Sequence, residues 1–366
     1  NPEWAFLHNY QITEKIDAQP DIWMQITVPN EFQPVGKYNI GVTAGMETTL
    51  VDGSWVEGIN RMDLNLVSSN HSKQTFLNSQ FETKNAQGNV TGQLKVNKPI
   101  EVLFEGANLD VYFPDTKPCL VDFDIPESFA YLFVGHWLQG DLGEDRKNVG
   151  LMLKTFLETF RNKKNRPALI LKVSGAGSSV MDREDMLNRI ERVRSTITGD
   201  LPSVYLLHGE LDDKDINNLY NHGKVKAMIS LTKGEGFGRP LLEFTLSKKP
   251  LIVTAWSGHI DYLYMENTCM VGGTLRGVHP SAQVKDMILA ESAWFSPDVK
   301  QAEFYLKDVY EKYSKYEEKA KKQAHQSKTK FSFEEMKTLL GTYLDKIPKQ
   351  VGLTLPKLKK IENDKG

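Results

Sequence analysis

The sequence predicts an α/β protein of two domains, each a parallel sheet covered by helices on both faces. Three observations lead there. The chain has 366 residues, more than one hydrophobic core ordinarily supports. Short apolar runs alternate with helical patterns along most of its length, as expected for strand–helix–strand units. A glycine-rich turn at 233–243 joins one such run to a helical pattern, the kind of junction that places a ligand at a sheet edge.

In the first half, extended runs occur at 23–28, 38–43, 64–67 and 100–104, with helical stretches at 55–62 and 71–78 between them. Residues 80–98 are polar and read as a loop. Glycine, asparagine and Pro114, Pro118 and Pro126 then interrupt the periodicity, so the linker is expected at 116–128 and the first domain at 1–115. The chain opens Asn1-Pro2-Glu3-Trp4, with neither an initiator methionine nor a signal-like region. That opening reads as a fragment or a processed start, and the first domain is expected to be open to truncation.

The second half is more regular. Apolar strand candidates lie at 130–134, 168–173, 203–207, 226–230 and 250–254. The helices between them carry stripes such as Val149, Met152, Leu153, Phe156, Phe160 and Met186, Ile190, Val193, Ile197. Five strands separated by helices make a doubly wound sheet over 129–330, with ligands beyond the carboxyl ends of its strands. The Lys- and Glu-rich stretch 303–330, with Phe304, Val309, Tyr313 and Tyr316, reads as a largely solvated helix. Ser332 is the expected N-cap of the next helix, with Glu335 at the capping-box position. Residues 331–366 form this helix and a proline-containing tail, expected to pack back toward the first domain.

Bulk properties exclude several classes. The composition is 40% hydrophobic and 25% charged with net charge −2, so nothing points to nucleic acid. No run approaches the ~20 apolar residues that span a bilayer, which leaves peripheral membrane contact compatible. Two cysteines, Cys119 and Cys269, are too few for a disulfide framework and have no metal spacing; a cytoplasmic setting is expected.

The turn itself runs Lys233-Gly234-Glu235-Gly236-Phe237-Gly238-Arg239-Pro240-Leu241-Leu242-Glu243. Its glycines are expected to leave backbone amides uncovered, and Pro240 suits a first helical turn. Free amides at a helix start favour an anion, whereas Glu235 and Glu243 are better acceptors for hydroxyls. The combination suggests a ligand carrying both phosphate and sugar hydroxyls. The plainer reading is a capping loop whose acids complement the helix dipole.

This stretch resembles the Glu-x7-Glu signature of retaining glycosyltransferases of the GT-B fold, the group 1 or family 4 type. The resemblance covers roughly residues 60–345, strongest at 203–264. It implies two Rossmann-like domains facing a cleft, the second binding the donor. It also implies that Glu235 contacts the donor sugar, Glu243 the ribose, and the amides of Gly236, Phe237 and Gly238 the diphosphate. Lys147, before the helix at 149, fits the family's diphosphate lysine; a cation at that position otherwise opposes the dipole. The family's arginine position is held by His136, and Arg146 is the substitute cation or a solvated loop residue. Lys172, inside an apolar strand, either reaches the donor or snorkels. The main chain near Leu211 lies where the family reads the base, while Asp212 or Asp213 reads as an N-cap. Ser257 is expected to cap the short helix that follows its loop, and His259 either faces the donor or is structural or solvated. Segments 67–73 and 105–114 also resemble family stretches. Two departures stand out: no glycine-rich loop precedes Trp23, and the usual cleft histidine is not recognisable. Asn30, Glu31 and Glu47 are the nearest acceptor-side candidates, with a surface role as the alternative for both acids.

The function implied is hexosyl transfer, without metal or cofactor, from a UDP-, GDP- or ADP-linked sugar to a glycan, lipid or other hydroxyl acceptor. The rival is a non-catalytic GT-B scaffold that binds nucleotide or glycan. A phosphorylase lacks a recognisable cofactor lysine, and a dehydrogenase lacks Gly-x-Gly-x-x-Gly after a first strand.

Overall fold

In a computed structural model of the protein, residues 2–11, 18–115, 125–140, 142–175 and 177–347 are described. The expected linker therefore lies mostly outside the described residues, as do Cys119 and the tail beyond 347. The first part contains β1 (Ile22–Ile26), β2 (Tyr38–Thr43), α1 (Gly53–Arg61), β3 (Leu64–Val67), α2 (Asn70–Asn78), β4 (Phe81–Lys84), β5 (Val90–Leu94) and β6 (Ile100–Val102). Strands β1, β2, β3 and β6 form a parallel sheet in that order. One face is packed by Trp55, Val56 and Ile59 of α1 and Phe76 of α2.

Strands β4 and β5 are a hairpin where a loop is expected. Its packed apolar pair is at the base: Phe81 pairs with Leu94, and both pack against the α1 cluster. The rest is polar apart from exposed Val90, and Asn85 closes the turn by accepting from the amides of Gln87 and Asn89. Period-two hydrophobicity is therefore missing, and composition mimics a loop.

The second part runs β7 (Ala130–His136), α3 (Val149–Phe160), β8 (Ala168–Ser174), α4 (Val180–Arg194), β9 (Val204–Leu206), α5 (Asp213–Asn221), β10 (Val225–Ser230), α6 (Arg239–Thr245), β11 (Leu251–Thr254) and β12 (Cys269–Val271). Its six-stranded sheet has the order β12-β11-β10-β7-β8-β9 and is parallel throughout. Successive residues of β7 are buried on opposite faces. Tyr131 and Phe133 join the helix layer of Val149, Phe156 and Ile190, whereas Ala130 and Leu132 meet Leu219, Leu242 and Phe244. Burial on both faces makes these strands continuous apolar runs.

Strands β13 (Gly273–Gly277) and β14 (Ala293–Pro297) form an antiparallel pair that buttresses the 233 turn, the amide of Phe295 donating to the carbonyl of Lys233 at 2.9 Å. The single helix expected at 303–330 is two, α7 (Val299–Glu311) and α8 (Tyr313–Lys330), parted at Lys312 with φ −123°. The last helix, α9 (Phe333–Leu344), is capped by Ser332, whose Oγ accepts from the amide of Glu335 at 3.2 Å. Its Leu340 and Tyr343 pack against Ile40, Leu64 and Leu66 on the other face of the first sheet. Backbone bonds between Ala107 and both Phe331 and Phe333 lay the two chain crossings side by side.

Candidate active site

The strand order of the six-stranded sheet reverses between β7 and β10. The loops after these strands open side by side at the carboxyl edge, the place where such sheets bind ligands. Lys147 comes from the first loop and Glu235 from the second, with Nζ 2.6 and 2.7 Å from the two carboxylate oxygens. Glu235 is only 5% exposed. Arg146 stands 3.5 Å from Glu235 and 3.4 Å from Glu47, which follows β2 of the first sheet. One network of charge, buried at Glu235 and half-buried at Lys147, Arg146 and Glu47, thus bridges the two sheets.

The electrostatics follow from that crowding. Burial opposes ionisation of Glu235, but Lys147 and Arg146 beside it more than offset this and hold the carboxyl at about 2. Burial pushes Lys147 down while Glu235 holds its proton on. The carboxylate beside Lys147 at the start of α3 is that of Glu235.

Local structure explains the placement. Asp145 Oδ2 accepts from the amide of Val149 at the start of α3, and Asn148, left-handed at φ 57°, donates to the carbonyl of Leu231. Between these two anchors Arg146 and Lys147 turn toward the 233 loop, whose Lys233 amide donates to the Arg146 carbonyl at 2.8 Å. Glu235 is fixed in turn: its amide donates to Ser257 Oγ and its carbonyl accepts from Gly258, both at 2.8 Å. Ser257, at φ 80°, makes no cap bond to the short helix that follows it, contrary to expectation, because its hydroxyl is used on Glu235.

The glycines serve close backbone approach. A Cβ on Gly234 would lie 1.9 Å from the carbonyl oxygen of Glu47, and one on Gly236 would lie 2.6 Å from Cα of Gly45. The 44–48 loop of the first sheet is thus pressed onto the turn. Even so, among the described residues the amides of Gly236, Phe237 and Gly238 have no hydrogen-bond acceptor. The helix beginning at Arg239 has only seven residues, so the anion-favouring feature is the loop rather than a helix dipole.

Glu243, one turn into α6, is buried and accepts from Arg239 Nε and Nη2 at 3.2 and 3.1 Å. Both line a cavity of about 440 Å³ with Glu105, Asn108, Tyr112, Asp213 and Phe333. Tyr112 donates to Asp213 at 3.1 Å. Burial raises the carboxyls of Glu105 and Glu243, with Arg239 opposing in both. The sequence alone gives no role to Glu105, Tyr112 or Arg239; the one available signal is the four-residue spacing of Arg239 and Glu243.

The other expected residues disperse. His136 is exposed at the end of β7, its Nδ1 3.2 Å from Ser174 Oγ. Lys172 donates to the carbonyl of Gly209, in the loop after β9, at 2.7 Å. Leu211 is half-buried and packs in the cluster that contains Tyr112. Asp212 caps α5 by accepting from the amide of Asp215. Asn30 is exposed, and its carbonyl accepts from Arg61 at 2.8 Å, outside the charged network. His259 is fully buried, with Nε2 2.6 Å from the Thr254 carbonyl oxygen. Beyond Glu47 and Arg146 lies a cavity of about 570 Å³ between the ends of β1 and β2 and the 284–288 turn.

No family model and no curated protein matches the sequence. Solved structures do share its fold. Sucrose-phosphate synthase from Thermosynechococcus elongatus aligns at TM-score 0.55 and 12% identity over 84% of this chain and 67% of its own. The Anabaena protein HepE, solved with UDP and glucose, aligns at TM-score 0.56 and 12% identity over 84% and 72%. Trehalose 6-phosphate synthase from Burkholderia multivorans aligns at TM-score 0.57 and 9% identity over 91% and 75%. The chain has the GT-B fold, with parallel Rossmann-like sheets on either side of a cleft.

Proposed function

We propose that this chain is a retaining glycosyltransferase that moves a sugar from a nucleotide diphosphate sugar to a hydroxyl acceptor. The observation that carries the reading is the Lys147–Glu235–Arg146–Glu47 network at the switch point of the donor-side sheet, beside three amides with no acceptor among the described residues. HepE, with the same fold, was solved with UDP and glucose, which makes UDP-sugars the first donors to offer.

In this mechanism the bond between the anomeric carbon and the diphosphate breaks, and negative charge grows on the leaving oxygen. Lys147 and Arg146, with the amides of Gly236, Phe237 and Gly238, stabilise that charge without a metal. Glu235, ionised, orients the sugar through its hydroxyls, and Glu243 holds the ribose. The acceptor attacks from the face the diphosphate leaves, and the departing phosphate oxygen takes its proton. The cation and carboxylate that pair with each other in the free protein are then shared with the ligand. Buried free Cys269 fits a reducing, cytoplasmic setting.

The test is release of nucleotide diphosphate from UDP-, GDP- and ADP-sugars, with thermal shift as the binding readout. The reading expects one nucleotide class to stabilise the protein and to be cleaved. The close contact of Gly45 with Gly236 favours a second reading, a scaffold that binds without turnover. Stabilisation by a nucleotide sugar with no release over hours would select it.

A further inference from the structure

We propose that the acceptor is an alcohol or phenol whose nucleophilic hydroxyl is carried on an apolar body, not a glycan; this rests on the glycosyltransferase reading above. The 570 Å³ cavity is walled mainly by Ile26, Val28, Met46, Leu138, Met287 and Ile288. Its charged groups stand at one end only: Glu47 and Arg146, 3.4 Å apart, with Arg146 3.5 Å from Glu235. Of its two threonines, Thr43 is buried and Thr27 already donates to Glu31. At the mouth, Ile26, Met287 and Leu138 are 75%, 48% and 43% exposed.

This separation selects a class of ligand. A sugar presents hydroxyls on every side, and each gives up water on entry; aliphatic and thioether walls return no hydrogen bond and Trp55 supplies one indole N–H at most, so most of those hydroxyls are buried at a cost. An apolar body gains by leaving water there and needs polar partners only at its inner end. A hydroxyl placed against the Glu47 carboxylate points toward the sugar held at Glu235. Its oxygen then bonds to the anomeric carbon as the bond from that carbon to the diphosphate breaks. The electron pair stays on the diphosphate, whose departing oxygen takes the hydroxyl proton.

Two readouts separate this inference from the reading beneath it. The first needs no donor: equilibrium dialysis of 4-methylumbelliferone should show saturable binding, weakened at least tenfold by Ile26→Asp and by Met287→Asp. Both side chains are exposed, so the fold survives the charge. Phe304→Asp, which alters a residue 56% exposed on α7, should leave binding intact. The second uses the nucleotide sugar: 4-methylumbelliferone or dodecanol should raise nucleotide release at least tenfold over water, and maltotriose should not. Failure of both compounds to bind or stimulate, or stimulation by maltotriose in their place, overturns the inference. If no nucleotide sugar is cleaved yet 4-methylumbelliferone binds and Ile26→Asp abolishes it, the apolar site stands and the glycosyltransferase reading falls. Stimulation by dodecanol only in phosphatidylcholine vesicles assigns a membrane-borne acceptor, and stimulation by free 4-methylumbelliferone a soluble one; both support the proposal.

Discussion

Lys147, Arg146 and Glu235 share a buried space, so losing one charge differs from losing a matched pair. Lys147→Met leaves the Glu235 carboxylate with Arg146 alone and should destabilise the protein by roughly 3–5 kcal/mol, whereas Lys147→Met with Glu235→Gln should cost clearly less than the sum of the single changes. Urea unfolding of the three variants measures this, and simple additivity would contradict the pairing. A second prediction concerns His71, which packs 4.6 Å from Trp256 and has no partner for Nε2 among the described residues. Burial, reinforced by His259, lowers it from 6.5 to about 4, against a raising contact from the Thr48 backbone. A base whose folded pKa is depressed binds more protons when unfolded. Its contribution is therefore complete above pH 6.5 and is lost as pH falls toward 4, on the order of 3 kcal/mol in all. Melting temperature should fall across that window, and His71→Asn should flatten the slope. Glu235 and Glu243 were legible in the sequence because one continuous stretch carries both. The Tyr112–Asp213 contact joins residues 101 positions apart, and no local pattern announces it.

Elements were legible where burial gives a pattern. The parallel strands are apolar on both faces and stand out as runs, whereas the β4–β5 hairpin packs apolar residues only at its base and β12 is just three residues long. The glycines of the 233 turn were legible as glycines but not for their purpose, which depends on the loop from the other sheet. Gly45→Ala and Gly236→Ala each put a methyl within 2.4–2.6 Å of opposing backbone. Each should cost roughly 1–3 kcal/mol by forcing the loops apart. Gly341 in α9 has nothing within 4 Å of a Cβ, so Gly341→Ala should instead stabilise by about 0.5–1 kcal/mol. Thermal melts of the three variants check both signs; an unaffected Gly45→Ala would mean that the loops are not in contact in solution.

Across the whole molecule, the two sheets meet through a small set of polar contacts around the site. The Asn70 amide donates to Asp261 at 2.7 Å, Ser68 Oγ to the carbonyl of Gly236 at 3.2 Å, and the Thr49 amide to the carbonyl of Ala293 at 3.0 Å. The Arg146–Glu47 pair spans the same two sheets, at 3.4 Å. Periodicity and length were enough to anticipate two parallel sheets, while the 570 Å³ cavity was legible only at Glu47, because its other walls come from β1, β2 and the distant 284–288 turn. The most direct measurement is nucleotide release from UDP-, GDP- and ADP-sugars by the wild-type protein and Glu235→Gln, with donor affinity followed in parallel. The account predicts release by the wild type from one nucleotide class, at least a hundredfold slower in Glu235→Gln with affinity within about threefold. Release that stays within about twofold in the variant, or a wild type that neither binds nor cleaves any of these sugars, would contradict it.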